Sequence, residues 1–132
     1  METATALVPS DADACWRVFT DASLLTSWVP GLRRAQILTK GRGMASEIHF
    51  EFSSTHAYTL VYTYDKDKRE VRWAPKLGPR DGVSGFARFE PEADGTRITY
   101  GLEQGDARTA DERALGDPTP LLEAFAMRMR AD

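Results

Sequence analysis

A two-residue alternation of apolar and polar positions recurs along the chain from residue 44 to residue 103. In residues 44–53, Met44, Ser46, Ile48, Phe50 and Phe52 share one side, while Ala45, Glu47, His49, Glu51 and Ser53 share the other. Successive side chains of a strand point to opposite faces, so this pattern predicts a half-buried strand. Residues 55–64 repeat it, with His56, Tyr58, Leu60, Tyr62 and Tyr64 opposite Ala57, Thr59, Val61 and Thr63. Three further runs follow: 69–74 with Val71 and Trp73 on the apolar side, 83–90 with Gly85, Ala87 and Phe89, and 96–103 with Ile98, Tyr100 and Leu102. Arg88 has the opposite parity and is expected outside. A bulge at Gly85 is the one arrangement that would turn it inward. Short polar turns separate most of these runs, and a Pro- and Gly-rich loop spans 75–82. Neighbours joined so closely pair antiparallel, and one apolar face per strand means a sheet covered on one side. Residues 32–40 are weakly patterned, as an edge strand can be. Residues 2–8, ending at Pro9, read as the first strand.

The period changes near both ends. Ala12, Cys15, Trp16 and Phe19 recur at helical spacing. Ser10 is the expected N-cap, with Asp13 three residues on, and Asp11 and Asp13 suit the positive end of the helix. Asp21 is placed to cap a second short helix over 22–28, whose apolar side is Leu24, Leu25 and Trp28 and which Pro30-Gly31 ends. Residues 104–116 are polar, a loop or a weak helix. Pro118 and Pro120 then mark a helix start, and Leu121, Leu122, Phe125, Ala126 and Met129 line one face of a helix over about 118–131. The predicted class is α+β: a seven-stranded curved antiparallel sheet around a C-terminal helix, with two short helices between strands 1 and 2 plugging one end.

Composition bounds this picture without changing it. The chain has 132 residues, enough for a single domain over 1–132 with one core. Seventeen basic and twenty acidic residues are spread along it for a net charge of −3. There is no basic stripe, so nucleic acid is not an expected partner. No apolar run approaches a membrane span, and the first residues lack the features of a signal peptide. With one cysteine there is no internal disulfide, and a cytoplasmic location is the expectation. Cys15, on the apolar helix face with no charged activator beside it, reads as a core residue.

The residue patterns exclude several chemistries. His49, His56 and Cys15 are too few and too scattered for a metal site, and Glu51 shares only the outer face with His49. There is no G-x-S-x-G nucleophile elbow. Gly41-Arg42-Gly43 does not open a helix, so a dinucleotide cradle is absent and no cofactor is expected.

Pro9, Trp16, Asp21 and Trp28-x-Pro30-Gly31 recur in an order that, with Phe50, Tyr58, Val71-x-Trp73, Gly85-x-x-x-Phe89 and Gly95-Thr96-x-Ile98-x-Tyr100, resembles the helix-grip superfamily of START-related, Bet v 1-like proteins. More narrowly, the chain resembles the bacterial polyketide cyclase/dehydrase and lipid-transport group over almost its whole length. Its last helix is shorter than that group's gripping helix, which bears on the volume and closure of any cavity. The resemblance implies an apolar pocket between the concave sheet face and the C-terminal helix, and a hydrophobic small molecule, lipid- or polyketide-like, as partner. The expected lining is Phe50, Phe52, Tyr58, Tyr62, Trp73, Phe89, Tyr100, Leu121 and Phe125. The opening helices are expected to act as scaffold and not as part of the site. Two other readings stay open. A cyclase- or dehydrase-type enzyme would use His56, Tyr58 or Tyr62 for acid–base chemistry. An interaction module would have a collapsed pocket and bind protein, as a homodimer for example, through an edge strand or its outer surface.

Overall fold

The computed structural model describes residues 2–41, 44–53, 57–77, 83–104 and 117–130. The described elements run β1 (Glu2–Val8), α1 (Ala12–Thr20), a 3-10 turn (Ala22–Leu24), α2 (Leu25–Trp28), β2 (Leu32–Gly41), β3 (Met44–Phe52), β4 (Ala57–Asp65), β5 (Glu70–Pro75), β6 (Val83–Glu92), β7 (Gly95–Gln104) and α3 (Pro118–Arg130). Expectations on His56, on the turn at 42–43, on the loop at 78–82 and on residues 105–116 lie outside the described residues.

The strands form one open, curved sheet in the order β1-β7-β6-β5-β4-β3-β2, every neighbouring pair antiparallel. β1 and β2 follow each other in sequence yet lie at opposite edges. The connection between them, which carries α1 and α2, therefore crosses the sheet from edge to edge, and this crossing places two helices over the concave face.

Local chemistry fixes the ends of that crossing. Asp11, not Ser10, is the N-cap of α1: its carboxylate accepts from the Ala14 N–H at 2.7 Å. Ser10 serves through its backbone, its carbonyl accepting from the buried Thr96 hydroxyl at 2.7 Å and tying the start of β7 to the helix entry. Asp13 makes no capping box. It binds the Arg69 guanidinium at 2.9 Å, so the β4–β5 turn is pinned to α1. Asp21 accepts from the Ser23 N–H at 3.0 Å and opens the 3-10 turn as expected. The tight β6–β7 hairpin requires Gly95, whose φ of +147° brings its Cα so near Val8 that a Cβ would lie 2.1 Å from the Val8 carbonyl oxygen.

Two strands depart from simple alternation. β2 carries an extra residue at Arg33 and at Leu38 relative to β3, and β3 carries one at Ser46. The bulge at Ser46 shifts the alternation by one, so Ala45 is buried while Met44 and Ser46 are only half-buried. The bulges in β2 account for its weak pattern and suit its place at the sheet edge. No bulge interrupts the β5–β6–β7 register at Gly85, and Arg88 stays outside, paired with Glu70 at 3.2 Å.

Aromatic rings dominate the core. Phe19 of α1 stands at the centre, with ring centroids 5.5 Å from Trp28, 6.0 Å from Trp73, 5.2 Å from Phe89, 5.8 Å from Tyr100 and 5.4 Å from Phe125. Each such pair adds about 0.5–1.5 kcal/mol beyond the area it buries. Cys15 is buried, and desolvation pushes its thiol up, as befits a packed residue and not a nucleophile. α3 packs chiefly against β1 through its buried face of Leu122, Phe125, Ala126 and Met129. No described helix is long and apolar enough to cross a membrane.

Candidate functional site

Beside this aromatic centre the concave face and the crossing helices leave a cavity of about 120 Å³. Its floor is sheet: Ile48, Phe50 and Phe52 of β3, Tyr58, Leu60, Tyr62 and Tyr64 of β4, Val71 and Trp73 of β5, Val83 of β6, and Tyr100 and Leu102 of β7. Its roof is the helical crossing, with Phe19 and Thr20 from α1 and Ala22, Leu25, Trp28, Val29 and Pro30 beyond it. Only the first turn of α3 reaches it, through Pro120 and Leu121, with Asp117 just before.

The floor follows from strand parity. Tyr58, Leu60, Tyr62 and Tyr64 alternate with outward Thr59, Val61 and Thr63, and their partners in register are Phe50, Ile48, Trp73 and Val71. Gly85 completes the surface. It sits between Trp73 and Leu102 in the ladder, and a Cβ there would come within 2.9 Å of both side chains and 2.3 Å of the Gly101 carbonyl oxygen. The missing side chain gives the Trp73 ring its place.

Four phenols bring polarity into these apolar walls. Tyr64 donates to the Ala45 carbonyl at 2.6 Å. The hydroxyls of Tyr58, Tyr62 and Tyr100 hydrogen-bond no described residue. Burial pushes all four phenols up, Tyr64 to about 12, and mutual repulsion adds to the rise at Tyr62 and Tyr100. At neutral pH they are protonated and act as hydrogen-bond donors. The Trp28 indole N–H is buried with no partner among the described residues, which costs about 1–3 kcal/mol. Asp117, the one charged group on the described lining, is exposed and accepts from the Thr119 N–H at 3.0 Å at the start of α3.

Of the residues expected from sequence, Phe50, Phe52, Tyr58, Tyr62, Trp73, Tyr100 and Leu121 line the cavity. Phe89 and Phe125 do not: each is 1% exposed, walled off behind Phe19. The opening helices are a second correction. They form the roof and are not merely an end plug, so Phe19, Leu25, Trp28, Val29 and Pro30 were missed as lining. Part of their signal was present in the apolar side of residues 22–28, where Leu25 and Trp28 serve both the core and the cavity roof. The expected cover, the length of α3, packs elsewhere. His49 lies on the outer face with its Nδ1 3.0 Å from the Thr59 hydroxyl. Among the described residues no three His, Cys, Asp or Glu side chains are grouped to hold a metal ion.

Comparison with known proteins agrees with this architecture. The fold matches that of a START superfamily protein from Mycobacterium smegmatis with a TM-score of 0.77 at 14% identity, covering 98% of this chain and 97% of the other. It matches a STAR-related lipid transfer protein from Xanthomonas axonopodis with a TM-score of 0.76 at 20% identity, covering 97% and 84%. It also matches the ZhuI aromatase/cyclase from a Streptomyces species with a TM-score of 0.67 at 20% identity, covering 98% and 86%. No curated protein matches the chain. The sequence model of the family described as polyketide cyclase / dehydrase and lipid transport matches residues 3–129, nearly the whole chain, and the chain belongs to that family.

Proposed function

We propose that this chain binds a hydrophobic small molecule, of the lipid- or polyketide-like kind, in the cavity between the concave sheet face and the α1–α2 crossing. The observation that carries the reading is the lining itself: a preformed hollow, chiefly aromatic and aliphatic, with a few phenol hydroxyls that hydrogen-bond no described residue. Ligand sites have this makeup, apolar walls for affinity and a few polar groups for orientation. The matched lipid transfer protein and aromatase/cyclase lend it weight through the family. Orientation is favoured over acid–base catalysis for Tyr58 and Tyr62, because burial pushes both phenols further above neutral pH and a proton-transfer group works best with a pKa near the operating pH. A standing cavity also favours ligand binding over a collapsed interaction module.

Native mass spectrometry of the protein purified from its own host tests the reading. A retained small molecule is expected on the wild type and lost from Leu121→Trp, which fills the mouth at a half-buried position. A bare protein that also fails to bind neutral aromatic probes of one and two rings would refute it.

A further inference from the structure

From the size, charge and donor pattern of the cavity we infer that its preferred occupant is an uncharged molecule whose enclosed part is about one ring in size and carries a carbonyl-type hydrogen-bond acceptor. The inference rests on the cavity being a binding site, as proposed above, and narrows what it binds.

Size comes first. The hollow is about 120 Å³. An apolar protein cavity of about 150 Å³ takes benzene, so this smaller hollow encloses no more than about one ring. A long acyl chain would have to leave most of its length outside.

Charge comes second. Among the described residues no Lys, Arg or His lines the cavity, and the one carboxylate of the described lining, Asp117, stands exposed at the rim. An anion carried inside would lose its hydration without a cation to replace it, and would pass Asp117 on the way. A cation would find Asp117 only outside the hollow. A neutral ligand meets neither penalty.

The third element is the donor set. Tyr100 is 6% exposed, and the rings of Tyr62 and Tyr100 stand 5.8 Å and 5.4 Å from that of Trp73, with Tyr58 further along β4. Their hydroxyls hydrogen-bond no described residue, whereas the fourth phenol, Tyr64, is satisfied by Ala45. A phenol shares its lone pair with the ring, so it donates better than it accepts. A carbonyl oxygen, with two lone pairs, is the complementary group and is able to take two of these donors at once.

Three probes of one ring separate the terms: acetophenone (neutral, carbonyl), ethylbenzene (same carbon skeleton, no acceptor) and benzoate (charged). Dissociation constants at pH 7 are read by ligand-observed NMR on the wild type and on Tyr62→Phe, Tyr100→Phe and the Tyr58/Tyr62/Tyr100 triple Phe variant. Acetophenone is expected to bind roughly fivefold more tightly than ethylbenzene, the discrimination of about one net neutral hydrogen bond. Benzoate is expected to be the weakest. The triple variant should erase the preference for acetophenone while leaving ethylbenzene within twofold of wild type. If that variant does not fold, the single variants and the wild-type ranking still decide. Equal binding of ethylbenzene and acetophenone, or tightest binding of benzoate, overturns the inference and leaves the cavity reading intact. If none of the three binds but neutral two-ring naphthalene does, the size class is wrong. If nothing binds at all, the binding reading itself falls.

Discussion

Replacing Phe19 by Ala removes the ring on which the aromatic centre converges. Phe19 is 6% exposed and touches five other rings at centroid distances of 5.2–6.0 Å. Truncating a buried Phe costs about 3–5 kcal/mol through lost transfer energy and the void left behind. One side of Phe19 already borders the cavity, so fewer contacts vanish on that side and the expected loss lies near 3 kcal/mol. Phe125→Ala is the control. Phe125 is 1% exposed and does not line the cavity, so its removal opens a new sealed void and should cost nearer 5 kcal/mol. Both losses are large against a typical stability of about 5–15 kcal/mol. Urea unfolding followed by far-ultraviolet circular dichroism measures them, with the m-value as the check that both variants remain two-state. Phe19→Ala should in addition enlarge the cavity and strengthen binding of a two-ring probe such as naphthalene, which Phe125→Ala should not. A loss below about 1 kcal/mol for Phe19→Ala, or a gain in naphthalene binding by the Phe125 variant alone, would refute this account of the core.

Other expectations follow from single contacts. Gly85→Ala forces a Cβ against Trp73 and the Gly101 carbonyl and should destabilise by about 1–3 kcal/mol in the same urea assay, with a shifted tryptophan emission as the Trp73 ring moves. Asp11→Ala should cost about 1 kcal/mol by removing the α1 cap, while Ser10→Ala should be nearly neutral. Tyr64→Phe should cost about 0.5–1.5 kcal/mol by leaving the Ala45 carbonyl without its donor. Alkali should act through the tyrosines. Their folded pKa values are raised above the unfolded value of about 10, so the folded state holds its phenol protons more tightly. The stability they confer is complete below about pH 10 and is lost as pH rises toward the folded value, about 12 at Tyr64. Urea midpoints should therefore be level from pH 7 to 9 and fall above 10, and a phenolate absorbance that grows without any loss of stability would contradict this.

The sheet was legible because strand parity and burial share one cause. Tyr58, Leu60 and Tyr62 alternate in sequence because one face of β4 meets the cavity and the other meets water. Parity names the face but not the position along it. Phe89 has the parity of Ala87 and Gly85 and points the right way, yet it lies under Phe19, beyond the end of the hollow. The same gap explains the misplaced roof. Both the α1–α2 crossing and α3 are amphipathic, and only the edge-to-edge order of β1 and β2, a long-range pairing, decides which of them covers Tyr62 and Trp73. The cap of α1 was misassigned for a nearer reason, whereas Asp21 caps the turn after it as expected. Ser10 and Asp11 are both good N-caps, and the choice fell to Thr96, whose hydroxyl binds the Ser10 carbonyl from a strand 86 residues away.

On this reading an apolar molecule sits between the aromatic floor and the helical crossing. Two-dimensional amide and indole NMR during an acetophenone titration tests it most directly, because the indole N–H signals of Trp28 and Trp73 both report from the walls. Saturable shifts are expected at those two indoles and at the amides of Leu25, Tyr62, Tyr100 and Leu121, with Trp16 nearly still. Shifts confined to the exposed edge around Ile37 and Leu38 would contradict it.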